Sequence, residues 1–301
     1  LSHVLAGLLD VYFDRVPDAA RIFDLLSIRG DTISNDHIAF RSISIIPLLK
    51  IFLPYGYQVK FDDNDSKTPF DFISKKLTAI WLKHPNPLFP RIFISEIRLD
   101  ELSKSVYDRE AKHTIPVATI IDRYLSDIND PIDSIDPTDT NAVVQYLHTR
   151  LWGQTSYTDY NDISKVSEYL AWVLYNDFYL NHFTVSVNAL ESMESQSKIN
   201  AIIEKYQHLE SQLSDSKKDY DALYHNYLEE LEHCYHTIMS AFNDLLEKNG
   251  FTLNGVQGKT LNISGDKLLL QSSTKEALID AQFSDGSYSI PGSYVEFAFR
   301  G

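Results

Sequence analysis

The chain has 301 residues, 44% of them hydrophobic and 12% aromatic, enough to bury a full core in one large or two small domains. Lys plus Arg number 27 against 42 Asp plus Glu, and the resulting net charge of −15 repels phosphate backbones and anionic bilayers, so neither nucleic acid nor a membrane is expected as a partner. The single cysteine, Cys234, cannot close an intramolecular disulfide, no run of about 18 apolar residues suggests a membrane span, and Leu1 to Asp10 lacks the basic start and cleavage pattern of a signal peptide; the expected setting is a reducing cytoplasm.

In chain order, apolar residues from Leu5 to Leu26 recur at helical spacing, interrupted at Val16-Pro17, and predict a helical opening over residues 1–30. Residues 31–105 read as strand His37 to Ile43, a short helix Ile46 to Leu53 closed by Pro54 and Gly56, and strand Tyr57 to Phe61. A hairpin of Lys76 to Leu82 with Arg91 to Leu99 follows, turning at Pro85-Asn86-Pro87. Residues 106–180 differ in character and predict a large helical insert, with Thr138 or Asp139 capping one helix to Trp152 and Asp162 or Ser164 capping another to about Tyr179. The strand pattern then restarts over residues 181–301. Strand Asn181 to Asn188 leads into helices Ile199 to Leu213 and Tyr220 to Leu246, the second stopped by Asn249-Gly250, and then into strands Phe251 to Leu253, Lys267 to Ser272 and Tyr294 to Phe299. The expected architecture is one α+β metalloenzyme domain built from two β-α-β-β-β modules with a helical insert between them.

Three potential ligands occupy matching places in that order. His37 opens the first module, His182 opens the second, and Glu296 lies on the last strand. Two imidazoles and a carboxylate can form a facial triad that leaves cis positions open on a non-haem metal. The separations of 145 and 114 residues carry no specificity of their own, and a lone histidine at a strand start is more often an ordinary hydrogen-bonded residue. Strand alternation places His37, Ala39 and Arg41 on one face, and Glu296, Ala298 and Arg300 on one face. A 2-oxo acid chelating the metal can then meet a guanidinium with its far carboxylate, although taken alone both arginines are more commonly salt-bridge partners. Gln271 and Ser272, on the strand before Glu296, are weaker candidates for substrate hydrogen bonds, with ordinary strand residues an equally good reading.

Other constellations are less complete. Glu230 and His233 have the Glu-x-x-His form of a di-iron bundle, but no second copy exists, so the cluster with Glu229, Glu232 and His236 reads as a solvated helix face. Cys234 on the same helix reads as a small packed residue. A Gly-rich phosphate loop, a Gly-x-Ser-x-Gly elbow and a His-Glu-x-x-His helix are all absent.

The segments Asp36 to Arg41, Asn181 to Val187, Leu269 to Thr274 and Pro291 to Gly301 resemble those of the DUF1338 family, whose characterised members are 2-oxoadipate dioxygenase/decarboxylases, also called hydroxyglutarate synthases. The likeness runs over most of the chain. It implies a vicinal-oxygen-chelate fold with a curved sheet around the metal, Fe(II) held by His37, His182 and Glu296, and Arg41 as the arginine acting in substrate binding and catalysis. The implied reaction converts 2-oxoadipate and O2 to 2-hydroxyglutarate and CO2 in lysine breakdown. The alternatives are a non-oxidative isomerase, lyase or hydrolase of the same fold, with Zn, Mn or Ni in the same ligands, and a non-catalytic binding protein that retains the fold.

Overall fold

The computed structural model describes residues 1–60, 68–126, 128, 130–212, 217–255 and 260–301. The opening helices are α1 (Ser2–Arg15) and α2 (Pro17–Ile28). They break at Val16 (φ −127°, ψ 76°) because a residue before proline is pushed out of the helical region, while Pro17, with no N–H to lose, begins the next helix at no cost. Next come β1 (Asn35–Ser42), α3 (Ile46–Phe52), β2 (Gln58–Lys60), β3 (Phe70–Phe72), β4 (Leu77–Lys83) and β5 (Arg91–Ile97). The middle of the chain forms β6 (Val106–Asp108), β7 (His113–Ile115), α4 (Val117–Leu125), α5 (Thr140–Leu147), α6 (Tyr157–Ser164) and α7 (Glu168–Asn176). The remainder is β8 (His182–Ser186), α8 (Ser195–Glu210), α9 (Lys217–Lys248), β9 (Asn262–Ile263), β10 (Leu269–Ser273), β11 (Leu278–Phe283), β12 (Gly286–Pro291) and β13 (Tyr294–Arg300).

Contacts divide the chain into two compact units. The first comprises Leu1–Pro17, His37–Phe183 and Glu276–Ser293. Its strands run in the order β2-β4-β5-β1, with β3 also on β4. The β1–β5 pair is parallel (His37 opposite Arg91, Arg41 opposite Ser95) and β4–β5 antiparallel, so the sheet is mixed. Beside it, Leu77 and Ile97 of the hairpin pack with Ile115, Ile120, Ile163, Leu170 and Leu174, and with Ala281, Phe283 and Ile290 of the β11–β12 hairpin. Each large side chain buried this way contributes about 1.5–3 kcal/mol. The second unit, Asp18–Asp36, Thr184–Lys275 and Tyr294–Gly301, carries β13-β10-β9 with α9 against it. There Phe242 meets Phe297 and Tyr235 meets Phe299, each pair at 5.0 Å between ring centroids. Gly250, at φ 85°, supplies the left-handed residue that ends α9.

The α+β class and the β4–β5 hairpin follow the expectation, but the first module carries a strand that was not anticipated, β3 (Phe70–Phe72), paired with β4. Phe61 and Leu213, given above as element ends, lie outside the described residues. The insert is divided differently. Asp139 does cap α5, accepting from Ala142 N at 3.1 Å, but the helix ends at Leu147 rather than Trp152. The helix expected from Asp162 or Ser164 to about Tyr179 begins later and ends earlier, as α7, and α6 before it was not anticipated. Ser156 caps α6 through Asp159 N (3.1 Å) and Ser167 caps α7 through Leu170 N (3.2 Å). Helix α4 and the β6–β7 pair were not anticipated, and neither was the β11–β12 hairpin. Phe251 to Leu253 forms only one bridge, Leu253 to Thr274, in place of the expected strand.

Candidate metal centre

His37 lies on β1 and His182 opens β8; both imidazoles are nearly buried, at 9% and 8% exposure. Asn181 N donates to Ala39 O at 2.9 Å, which aligns the start of β8 with β1. The two rings stand edge to face at 82°, and their Nε2 atoms approach to 3.3 Å. His182 Nδ1 donates to Asn181 Oδ1 at 3.0 Å, because an amide oxygen only accepts, so Nε2 keeps its lone pair. Two nitrogens on adjacent positions of one metal, with metal–nitrogen bonds of about 2.1 Å, lie roughly 3.0–3.4 Å apart. The observed spacing fits that arrangement.

Glu296, on β13, is fixed by its own neighbours. Its Oε1 accepts from Gln271 Nε2 at 2.7 Å and from Thr184 Oγ1 at 3.3 Å. The ligand atoms of His37, His182 and Glu296 lie within 4.8 Å of one another, the one group of three His, Cys, Asp or Glu side chains so placed among the described residues. Two borderline nitrogens and one hard oxygen suit a divalent transition metal.

Arg41, four residues beyond His37, turns its guanidinium to the rings of Tyr169 and Trp172 on α7, at 5.5 and 5.4 Å. Among the described residues it makes no hydrogen bond or ion pair. Its five N–H donors are therefore unspent. The cradle is itself anchored. Tyr169 Oη accepts from Ser42 N (2.9 Å) and donates to Ser95 O (2.6 Å), and burial pushes its pKa up to about 12. Trp172 Nε1 donates to Gly292 O at 3.0 Å. A Cβ at Gly292 would come within 2.9 Å of Ile279 Cγ2 and 3.2 Å of Ala277 O, so the close approach requires glycine.

Three candidates take other positions. Arg300 forks onto Asp36, with Nε to Oδ1 at 2.8 Å and Nη2 to Oδ2 at 2.9 Å, so its bidentate face is already engaged and it is not a free substrate clamp. Ser272 is a neighbour of Gln271 on β10 and therefore faces the opposite way; its hydroxyl donates to Asn243 Oδ1 on α9 at 2.7 Å, buried away from Glu296. Gln271 holds the carboxylate rather than presenting its amide alone. On α9, Glu230 pairs with Lys205 at 2.6 Å and His225 lies 3.3 Å from Glu229, a solvated and paired face as expected. The sequence reading passed over Asn181, Thr184, Tyr169 and Trp172. Asn181 and Thr184 flank His182 within two residues, and Tyr169 and Trp172 have the i, i+3 spacing of one helix face, so both signals were present.

The family described as 2-oxoadipate dioxygenase/decarboxylase matches residues 4–301. A curated relative from Oryza sativa subsp. japonica, the 2-oxoadipate dioxygenase/decarboxylase described as chloroplastic/amyloplastic, is 31% identical over 316 residues, covering 99% of this chain and 68% of the relative. The crystal structure of the hydroxyglutarate synthase in complex with 2-oxoadipate from Oryza sativa superposes with a TM-score of 0.66 at 30% identity, over 98% of this chain and 79% of that one. A protein of the glyoxalase superfamily from Ralstonia eutropha JMP134 shares the fold at 15% identity, with a TM-score of 0.65 over 99% of this chain and 81% of that one.

Proposed function

Since the chain belongs to the 2-oxoadipate dioxygenase/decarboxylase family, we propose that it converts 2-oxoadipate and O2 to 2-hydroxyglutarate and CO2, a step of lysine breakdown, with Fe(II) held by His37, His182 and Glu296. The observation that carries this reading is the 3.3 Å approach of two imidazole Nε2 atoms, with a carboxylate in the same group of ligand atoms, in a chain matched to the family almost end to end.

Fe(II) held by His37, His182 and Glu296 would supply the redox electrons for the reaction of a 2-oxo acid with O2. The protein's part is orientation. Asn181 fixes the His182 tautomer, and Gln271 with Thr184 fixes the Glu296 carboxylate. Arg41 receives the carboxylate remote from the keto group. Four residues along a strand span about 13 Å, which leaves room for a six-carbon dicarboxylate between the imidazole and the guanidinium. The aromatic rings against Arg41 shed water around it and strengthen a charge-assisted fork.

The test is anaerobic reconstitution with Fe(II) followed by 2-oxoadipate and air. Equimolar O2 uptake, CO2 release and 2-hydroxyglutarate formation are expected. Metal-loaded protein that leaves 2-oxoadipate and O2 unconsumed would overturn the reading in favour of a non-oxidative reaction.

A further inference from the structure

In the first unit, α3, the segment before α5 and the turn after α7 line a solvent-open cavity of about 240 Å³. Its walls include Ile46, Ile132, Leu151 and Phe178, and its charged groups are Asp130, Asp133, Asp177 and Lys50, three carboxylates to one ammonium. Lys50 Nζ pairs with Asp133 Oδ1 at 2.5 Å, and both are largely exposed, so this pair sits at the rim. Asp130 and Asp177 are left as the inner carboxylates, and the Arg150 guanidinium also acts on Asp177. Asp130 accepts from Ile132 N (2.9 Å) and Tyr146 Oη (3.0 Å), both neutral donors.

Asp177 is 1% exposed. Its Oδ2 accepts from Leu151 N at 3.2 Å, but the buried Oδ1 has no hydrogen-bond partner among the described residues. Its backbone lies at φ 49°, ψ −121°, a conformation that a non-glycine residue adopts only when its surroundings enforce it, and such strain gathers at binding sites. A hard divalent ion seeks six to eight oxygen ligands, which these aliphatic walls do not supply.

We propose that this cavity binds a primary ammonium group carried on an aliphatic stem, with Asp177 and Asp130 receiving the ammonium and Ile46, Ile132, Leu151 and Phe178 flanking the stem. None of the lining residues is a candidate metal ligand, and the site does not rest on the reaction proposed above. Burial, opposed by the Leu151 N–H, aided by Asp130 and opposed again by the Arg150 guanidinium, leaves the Asp177 carboxyl raised to about 8. An ammonium ligand needs the ionised carboxylate. Its affinity therefore rises with pH through that value, whereas an alkylammonium, with a pKa near that of Lys at about 10.4, stays charged to pH 9.

The experiment is calorimetric titration of the full chain with n-butylammonium chloride at pH 9.0 and 6.5, with tetramethylammonium and CaCl2 as comparison ligands. One butylammonium per chain is expected, bound about tenfold or more tightly at the higher pH, with tetramethylammonium weaker because it has no N–H to donate. Asp177→Asn, which keeps an acceptor for Leu151 N, should weaken binding by about tenfold or more at an unchanged thermal midpoint. Ile46→Phe, at an exposed wall position, should block entry while both carboxylates remain, and it tests the site even if Asp177→Asn folds poorly. Absence of saturable heat, equal affinity in the two variants and the native chain, or Ca2+ binding in preference to butylammonium would overturn the proposal.

Discussion

β1 and β13 each carry an arginine four residues beyond a candidate metal ligand, and the two arginines do different things. On β13 the fork of Arg300 is filled by Asp36, a carboxylate only 6% exposed. On β1 the guanidinium of Arg41 lies against two aromatic rings that take none of its N–H donors. Identical spacing in sequence thus leaves one arginine satisfied and the other with its hydrogen-bonding capacity in hand. What decides between them is the partner that another segment brings, an acid in one case and the Tyr169/Trp172 face of α7 in the other.

The broadest challenge to this contrast is loss of the centre that gives both strands their meaning. His182→Ala should weaken Fe(II) binding by more than the roughly 10–100-fold typical of losing a supporting hydrogen bond, read by anaerobic titration with the fold monitored by circular dichroism. Retained stoichiometric iron would remove His182 from the ligand set. Next, Arg41→Met should cost about 2–5 kcal/mol in 2-oxoadipate kcat/KM, with Arg41→Lys in between, because a desolvated bidentate pair is lost. Arg300→Met should leave kcat/KM within about 1 kcal/mol and instead lower the thermal midpoint. If the two Met variants lose kcat/KM equally, the contrast drawn here is wrong. Gln271→Leu should lower Fe(II) affinity by about 10–100-fold, because Glu296 loses its 2.7 Å partner, with KM little changed at saturating metal. The smallest effect is expected from Tyr169→Phe. It keeps the ring under Arg41 and deletes bonds to Ser42 and Ser95, so about 0.5–1.5 kcal/mol of stability per bond should go, while substrate affinity stays near that of the native chain.

The elements that sequence reading places well are those whose pattern and punctuation agree. β4 and β5 are β-branched runs around a double proline, and α9 is a long apolar stripe ended by Asn249-Gly250. The β11–β12 hairpin was missed although Ile279, Ala281 and Phe283 alternate with Asp280 and Gln282 along β11, while β12 (GSYSIP) is polar over most of its length. Its signal was the Asp285-Gly286 pair, and the Asp285 carboxylate takes the N–H groups of Tyr157 (2.6 Å) and Thr158 (3.1 Å) at the start of α6, a long-range duty that no local pattern records. At the candidate site, His37, His182, Glu296 and Arg41 were readable as residue types on strands. That Ser272 faces α9 followed from strand alternation once Gln271 was placed. That Arg300 is spent on Asp36 did not, because the partner stands 264 positions away.

The hydrogen bond from Trp172 to Gly292 also sets a timetable for the ribosome. One wall of the arginine cradle is pinned by a carbonyl that lies 120 positions later in the chain. At about 5–20 residues per second, roughly 6–24 s separate the synthesis of the indole from that of its anchor. During that interval α7 and β1 can already be packed, but Trp172 must find another acceptor or remain hydrated. The nascent protein therefore holds both candidate ligand histidines well before the indole beside Arg41 has its anchor, and a ribosome stalled before residue 292 holds a chain in which Glu296 and the Gly292 carbonyl are both still missing.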